Sequence, residues 1–133
     1  MKNSRHNIFI ALYCLYILTL GILCFIRPDS LPSESFDWFG LPADKAGHFL
    51  MFMPFPVLTF AVFIRKYCSR TEALKKLMFI VISGAVIAIS TEIIQKILGY
   101  RAFEIHDFIA DVAGISTGAV AVTIYIALNK KLK

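Results

Sequence analysis

The sequence predicts an all-α integral membrane protein, a four-helix bundle with its N and C termini in the cytoplasm. Three observations lead there. Apolar residues make up 58% of the 133 residues and charged residues only 17%, whereas soluble domains by a similar count are about 45–50% apolar. Mean hydropathy is +0.71. The apolar residues fall into four runs, each close to the ~20 residues that cross roughly 30 Å of hydrocarbon. In lipid each run must satisfy its own backbone, so short unpaired strands are excluded and helices follow. The length suits a single domain over residues 1–133, and no internal repeat or low-complexity tract is present.

The first span is placed at 8–26, Ile8 to Ile26, without a charge. Lys2 and Arg5 precede it like the basic flank of a signal peptide. The run, however, exceeds an h-region of about 7–15 residues, and the exit "RPDSLPSESF" holds no A-x-A cleavage site. Leu23 before Cys24 is also a poor fit to lipoprotein cleavage, so a retained span is expected. The second span, 46–64, is interrupted by His48, Pro54 and Pro56; Pro56 removes a donor and both rings disfavour a regular ladder. The third, 77–98, is clean as far as Thr91 and is then broken by Glu92, Gln95 and Lys96. The fourth, 108–128, carries Asp111 as its only charge.

The net charge of +5 raises the question of nucleic acid, but its placement answers differently. Lys2 and Arg5 stand at the N-terminus, the link "RKYCSRTEALKK" holds five basic residues against Glu72, and the tail "NKKLK" holds three more. These segments fall on one side if four spans alternate and both ends are cytoplasmic, as the positive-inside rule requires. No nucleic-acid motif accompanies the charge. Cys14 and Cys24 share one span, Cys68 lies in the basic link and no CxxC occurs, so neither a disulfide framework nor a zinc-thiolate site is expected. Trp38, with Phe36 and Phe39, reads as an interfacial anchor in the outer link.

The polar residues inside the apolar runs are the informative ones. At 1.5 Å per residue, Glu92 lies roughly 22 Å and Gln95 roughly 27 Å along the third span. Asp44, Lys45 and His48 open the second span, and Asp107 and Asp111 open the fourth. All reach the same outer third. Asp44 and His48 are i, i+4, and Glu92 and Gln95 are i, i+3. Asp107, Asp111, Gly114 and Gly118 step along one stripe. Gly114 and Gly118 form the GxxxG of "GISTG", which permits close helix packing within the chain or in a homo-oligomer. A charge at the bilayer centre costs about 2.5–3.5 kcal/mol on insertion scales, so these groups are expected to face one another.

Plainer roles compete at several positions. Lys45 and Lys96 can snorkel to headgroups. Asp44 and Asp107 suit helix N-termini, where the dipole favours an acid. His106 reads as interfacial. Glu92 is harder to dismiss, because it sits near a helix C-terminus, the wrong end of the dipole for an acid.

"DKAGHFLMF", "TEIIQ" and the run from Arg101 to Gly118 resemble the VanZ-like family of small bacterial membrane proteins. The resemblance extends from about Pro42 to Gly118. The family pattern is Asp-Lys-x-x-His-Phe, then Glu-x-x-Gln, then Arg followed by Asp and usually Asn before Gly. It falls here on Asp44, Lys45, His48, Phe49, Glu92, Gln95, Arg101, Asp107 and Gly114. The departure is Asp111, where the family usually has Asn. The resemblance implies a multi-pass protein of the bacterial cell membrane and a contribution to teicoplanin-type glycopeptide resistance.

Two function classes follow. In the first, a binding protein takes a peptidoglycan precursor or other lipid-linked anionic group at Asp44, Lys45, His48, Glu92, Gln95, Arg101, Asp107 and Asp111. Lys45 and Arg101 would then contact phosphate or carboxylate. In the second, a metal-assisted intramembrane enzyme acts on a lipid head group, with His48, Glu92, Asp107 and Asp111 as ligands suited to Mg²⁺ or Mn²⁺. A proton-coupled transport component is a further alternative. No HExxH, P-loop, GxSxG or spaced Cys/His set is present, no cofactor is called for, and Ser90 and Thr91 are the nearest nucleophile candidates.

Overall fold

A computed structural model describes residues 2–25, 43–64, 69–99 and 104–129. Trp38 with its aromatic neighbours, Cys68 and Arg101 lie outside the described residues. The helices are α1 (Lys2–Phe25), α2 (Ala43–Phe52), α3 (Pro54–Phe63), α4 (Arg70–Ile97) and α5 (Ile105–Leu128). Because α2 and α3 run on through Met53, they make one crossing. Four stretches are therefore long and apolar enough to span a bilayer: His6–Phe25, Ala43–Phe63, Arg70–Ile97 and Ile105–Leu128. No strand occurs among the described residues. The all-α, four-span architecture expected from the apolar runs is the one observed, and the chain is a multi-pass membrane protein.

The second crossing breaks where its prolines demand it. Pro54 opens α3 and Pro56 follows, so neither residue can donate to the preceding turn. The Met53 N–H still reaches Phe49 O at 3.0 Å. The Tyr16 hydroxyl of α1 donates to Met51 O at 2.7 Å, beside the break. A neighbouring helix thus supplies a polar contact where the internal ladder is interrupted.

Helix α4 starts ahead of its apolar run because Ser69 caps it. Ser69 Oγ accepts the Glu72 N–H at 3.2 Å, and Glu72 Oε2 accepts the Ser69 N–H at 3.1 Å, a complete capping box. At the other end Gly99 takes φ +68°, the left-handed conformation that stops a helix, and its N–H reaches Lys96 O at 3.1 Å. The hydroxyls of Ser83, Ser116, Thr117 and Thr123 inside the spans donate to their own helix. Lipid offers them no other partner.

Helix α5 is the hub, packed against α2, α3 and α4. Its glycines make the approach possible. A Cβ at Gly114 would run into Phe49 O, and one at Gly118 into Met53 O and the Pro56 ring. The GxxxG motif therefore seats the broken crossing within the chain, and this face is not open to a second copy. Gly84 of α4 makes room in the same way for the Phe55 ring.

Two apolar clusters fill the interior. Phe55, Phe60, Ala73, Leu77, Ile80, Val122 and Ile126 form one. Leu20, Cys24, Phe52, Ala88 and Ile115 form the other, nearer the polar end. Helix α1 is the least buried of the crossings and leans mainly on α3. Outward-facing Leu18, Phe63, Phe79 and Val120 are exposed, a belt that a bilayer covers.

A candidate polar site at one end of the bundle

The first turns of α2 and α5 and the last turns of α4 meet at one end of the bundle, and each brings polar side chains inward. His48, Glu92, Asp107 and Asp111 are 5%, 1%, 2% and 0% exposed. Burial this complete in ionisable groups requires partners or a metal. The i, i+4 step from Asp107 to Asp111 places both carboxylates over the α2 face that carries Lys45 and His48.

The site has a rim and a floor. At the rim Lys45 Nζ donates to Asp107 Oδ1 at 2.8 Å, Glu104 Oε2 at 3.0 Å and Asp44 Oδ2 at 3.2 Å. Asp44 and Glu104 are exposed, and the Lys45 side chain is 22% exposed. On the floor, His48 Nδ1 lies 2.9 Å from Asp111 Oδ1, and His48 Nε2 lies 3.6 Å from Asp107 Oδ2. An ionised Asp111 can only accept, so its bond places a proton on Nδ1 and turns Nε2 toward Asp107. Glu92 completes the floor from α4. Its Oε1 and the Oδ2 of Asp111 are buried with no hydrogen-bond partner among the described residues.

Asp107 joins the two levels, with one oxygen on Lys45 and the other toward His48. Charge here is lopsided. Among the described residues, five carboxylates (Asp44, Glu92, Glu104, Asp107 and Asp111) surround one ammonium and one imidazole. The described part of the site attracts cations.

Of the residues singled out from sequence, Asp44, Lys45, His48, Glu92, Asp107 and Asp111 come together. Gln95 is buried at the same end, but its amide Nε2 donates to Cys24 O of α1 and ties α4 to that helix. Arg101 lies outside the described residues. Ser90 Oγ donates to Val86 O at 2.6 Å and Thr91 Oγ1 to Ala88 O at 2.7 Å, so both hydroxyls are turned to backbone rather than to a base. His106 and Lys96 are exposed. Glu104 was given no role by sequence reasoning, yet it is a Lys45 partner. Its signal was available, since it stands three residues ahead of Asp107. Tyr16 was also missed, and nothing in its apolar surroundings marks it.

A family model described as VanZ/LLP1 matches residues 9–127. The chain belongs to the VanZ/LLP1 family. The match takes in α2, α4, all of α5 but its last residue, and most of α1. No curated protein and no solved structure gives a significant match to this VanZ/LLP1 chain.

Proposed function

We propose that this VanZ/LLP1 protein works in the bacterial cell membrane, receiving a cell-wall or lipid-linked anionic group at the polar end of its bundle. In doing so it would contribute to resistance against teicoplanin-type glycopeptides. The observation that carries the reading is the convergence of buried charged side chains from three crossings at one end of an otherwise apolar bundle. Groups so costly to bury are retained in membranes where they serve a ligand, an ion or a proton.

The outward placement of this end rests on charge. Arg70, Lys75 and Lys76 stand in the first turns of α4, at the opposite end from Glu92. By the positive-inside rule that end is cytoplasmic, so the polar site faces outward. There it would meet headgroups and precursors on their extracytoplasmic side.

Lys45 is already held by three carboxylates, so an anion competing directly for it would have to displace them. Arg101 and a bridging cation are the other positive charges through which an anion would bind. A second reading, metal-assisted chemistry on a lipid head group, is favoured by the His48, Glu92 and Asp107 grouping. With Ser90 and Thr91 turned to backbone, its nucleophile would be water.

The test is teicoplanin susceptibility in a sensitive Gram-positive host. Empty vector, the wild-type chain and Glu92→Gln would be compared at matched membrane levels. Protection by wild type that disappears in Glu92→Gln is the expected result. Absence of protection by wild type would remove the resistance role.

A further inference from the structure

We infer that the floor of the polar site is a divalent-cation site of the Mn²⁺ and Mg²⁺ class, formed by His48 Nε2, Asp107 and Glu92. Asp111 acts as its positioning residue. The inference stands on the floor geometry whether or not an anionic group is the ligand, because cation binding is read without any lipid.

Four observations converge. First, His48, Glu92 and Asp107 are all buried, and each offers a donor atom within 4.8 Å of the other two. Second, His48 Nε2 and Asp107 Oδ2 are 3.6 Å apart. That is long for a hydrogen bond. Two donors each about 2.1–2.2 Å from one ion stand roughly 3.0–3.6 Å apart in ordinary geometries. Third, Glu92 Oε1 is fully buried without a hydrogen-bond partner among the described residues. An ion provides what a buried carboxylate oxygen otherwise lacks. Fourth, the Nδ1 to Asp111 Oδ1 contact at 2.9 Å is the carboxylate–histidine arrangement that fixes a metal-binding imidazole in its tautomer and orientation.

The local charge is of the sign that a cation needs. Glu92, Asp107 and Asp111 bring three negative charges to the interior. Among the described residues Lys45 is the one ammonium in contact with them, through Asp107. Two carboxylates and a single imidazole make an oxygen-rich set, which suits Mn²⁺ or Mg²⁺ better than a thiolate-seeking metal. The group Asp44, Glu104 and Asp107 also has ligand spacing. Its three oxygens already surround the Lys45 ammonium, which would repel a cation there.

The experiment uses the full chain in lipid nanodiscs, stripped with chelator and titrated with Mn²⁺ followed by electron paramagnetic resonance. Wild type should take up one Mn²⁺ per chain, competed by excess Mg²⁺. The bound ion should show the ¹⁴N coupling of a directly ligated histidine. Glu92→Gln, which keeps shape and removes charge, should weaken binding at least tenfold, and Thr123→Ala, on an exposed face away from the site, should leave it within about twofold. Should Glu92→Gln fail to fold, the ¹⁴N coupling in wild type decides. Failure to bind Mn²⁺, bound Mn²⁺ without ¹⁴N coupling, or a Thr123→Ala loss equal to that of Glu92→Gln would each overturn the site. Anion recognition is measured separately, by vesicle-lipid binding to the same stripped nanodiscs, so failure of one reading leaves the other standing.

Discussion

The two ends of the bundle solve the problem of a membrane interior in opposite ways. Toward one end, Phe60, Leu77, Val122 and Ile126 fill the space between helices with apolar volume. At the other, His48, Glu92, Asp107 and Asp111 occupy equally buried positions and depend on direction and charge. The first end needs only shape, because hydrocarbon outside it is as apolar as the side chains within. The second is held together by a few bonds of fixed geometry, each essential to the others. Stability is therefore distributed at the apolar end and concentrated at the polar one.

The comparison breaks most completely if the helix that serves both ends is displaced. Gly114→Leu would drive a side chain into the Phe49 backbone. Neither end should then assemble, and folded protein in detergent size-exclusion profiles should fall to background. Leu77→Ala should affect the apolar end alone. It leaves a cavity worth about 3 kcal/mol by the usual range for such truncations, read as a lowered thermal midpoint in nanodiscs. Metal or ligand binding at the polar end should be unchanged beyond that loss.

Lys45→Ala sharpens the contrast from the other side. It removes little packing but takes the Lys45 ammonium from the buried Asp107 carboxylate, a loss of roughly 2 kcal/mol. This is set below the range for fully buried pairs because Lys45 is partly exposed. Lys45→Arg should recover part of it, whereas no charge-conserving swap is relevant at Leu77. Tyr16→Phe deletes the hydroxyl on Met51 O and should cost about 1 kcal/mol. Thr123→Ala, on an exposed face with its hydroxyl bonded only to its own helix, should stay within about 0.5 kcal/mol.

The apolar end was legible because it is written in composition and run length, which lipid reads directly. The polar end was legible in part: His48, Glu92, Asp107 and Asp111 stand out against apolar neighbours, and helical rise puts them at one depth. Which groups would touch was not legible. The pairing of His48 with Asp111 rather than with Glu92 depends on how α2 lies across α5, and that is set by Gly114 and Gly118 accepting the α2–α3 backbone. Likewise Pro54 and Pro56 marked an irregular crossing. Its separation into α2 and α3, with Tyr16 alongside, depends on a neighbouring helix that local sequence does not encode. Gln95 looked like a companion of Glu92, but its amide turns to α1, a partner distant in the chain.

The attachment of α1 has a consequence for how this chain can change over generations. Among the described residues, two side-chain hydrogen bonds to main-chain carbonyls tie it to the rest: Tyr16 on α1 gives its hydroxyl to Met51 O, and Gln95 on α4 gives its amide to Cys24 O. Both acceptors belong to the main chain, which every amino acid carries. Met51 and Cys24 are thus free to be replaced by any residue that fits the space, while the donors at 16 and 95 are not. Mutational scanning should find tolerance and intolerance arranged in that pattern, so that the outermost helix drifts in spelling without losing its anchorage.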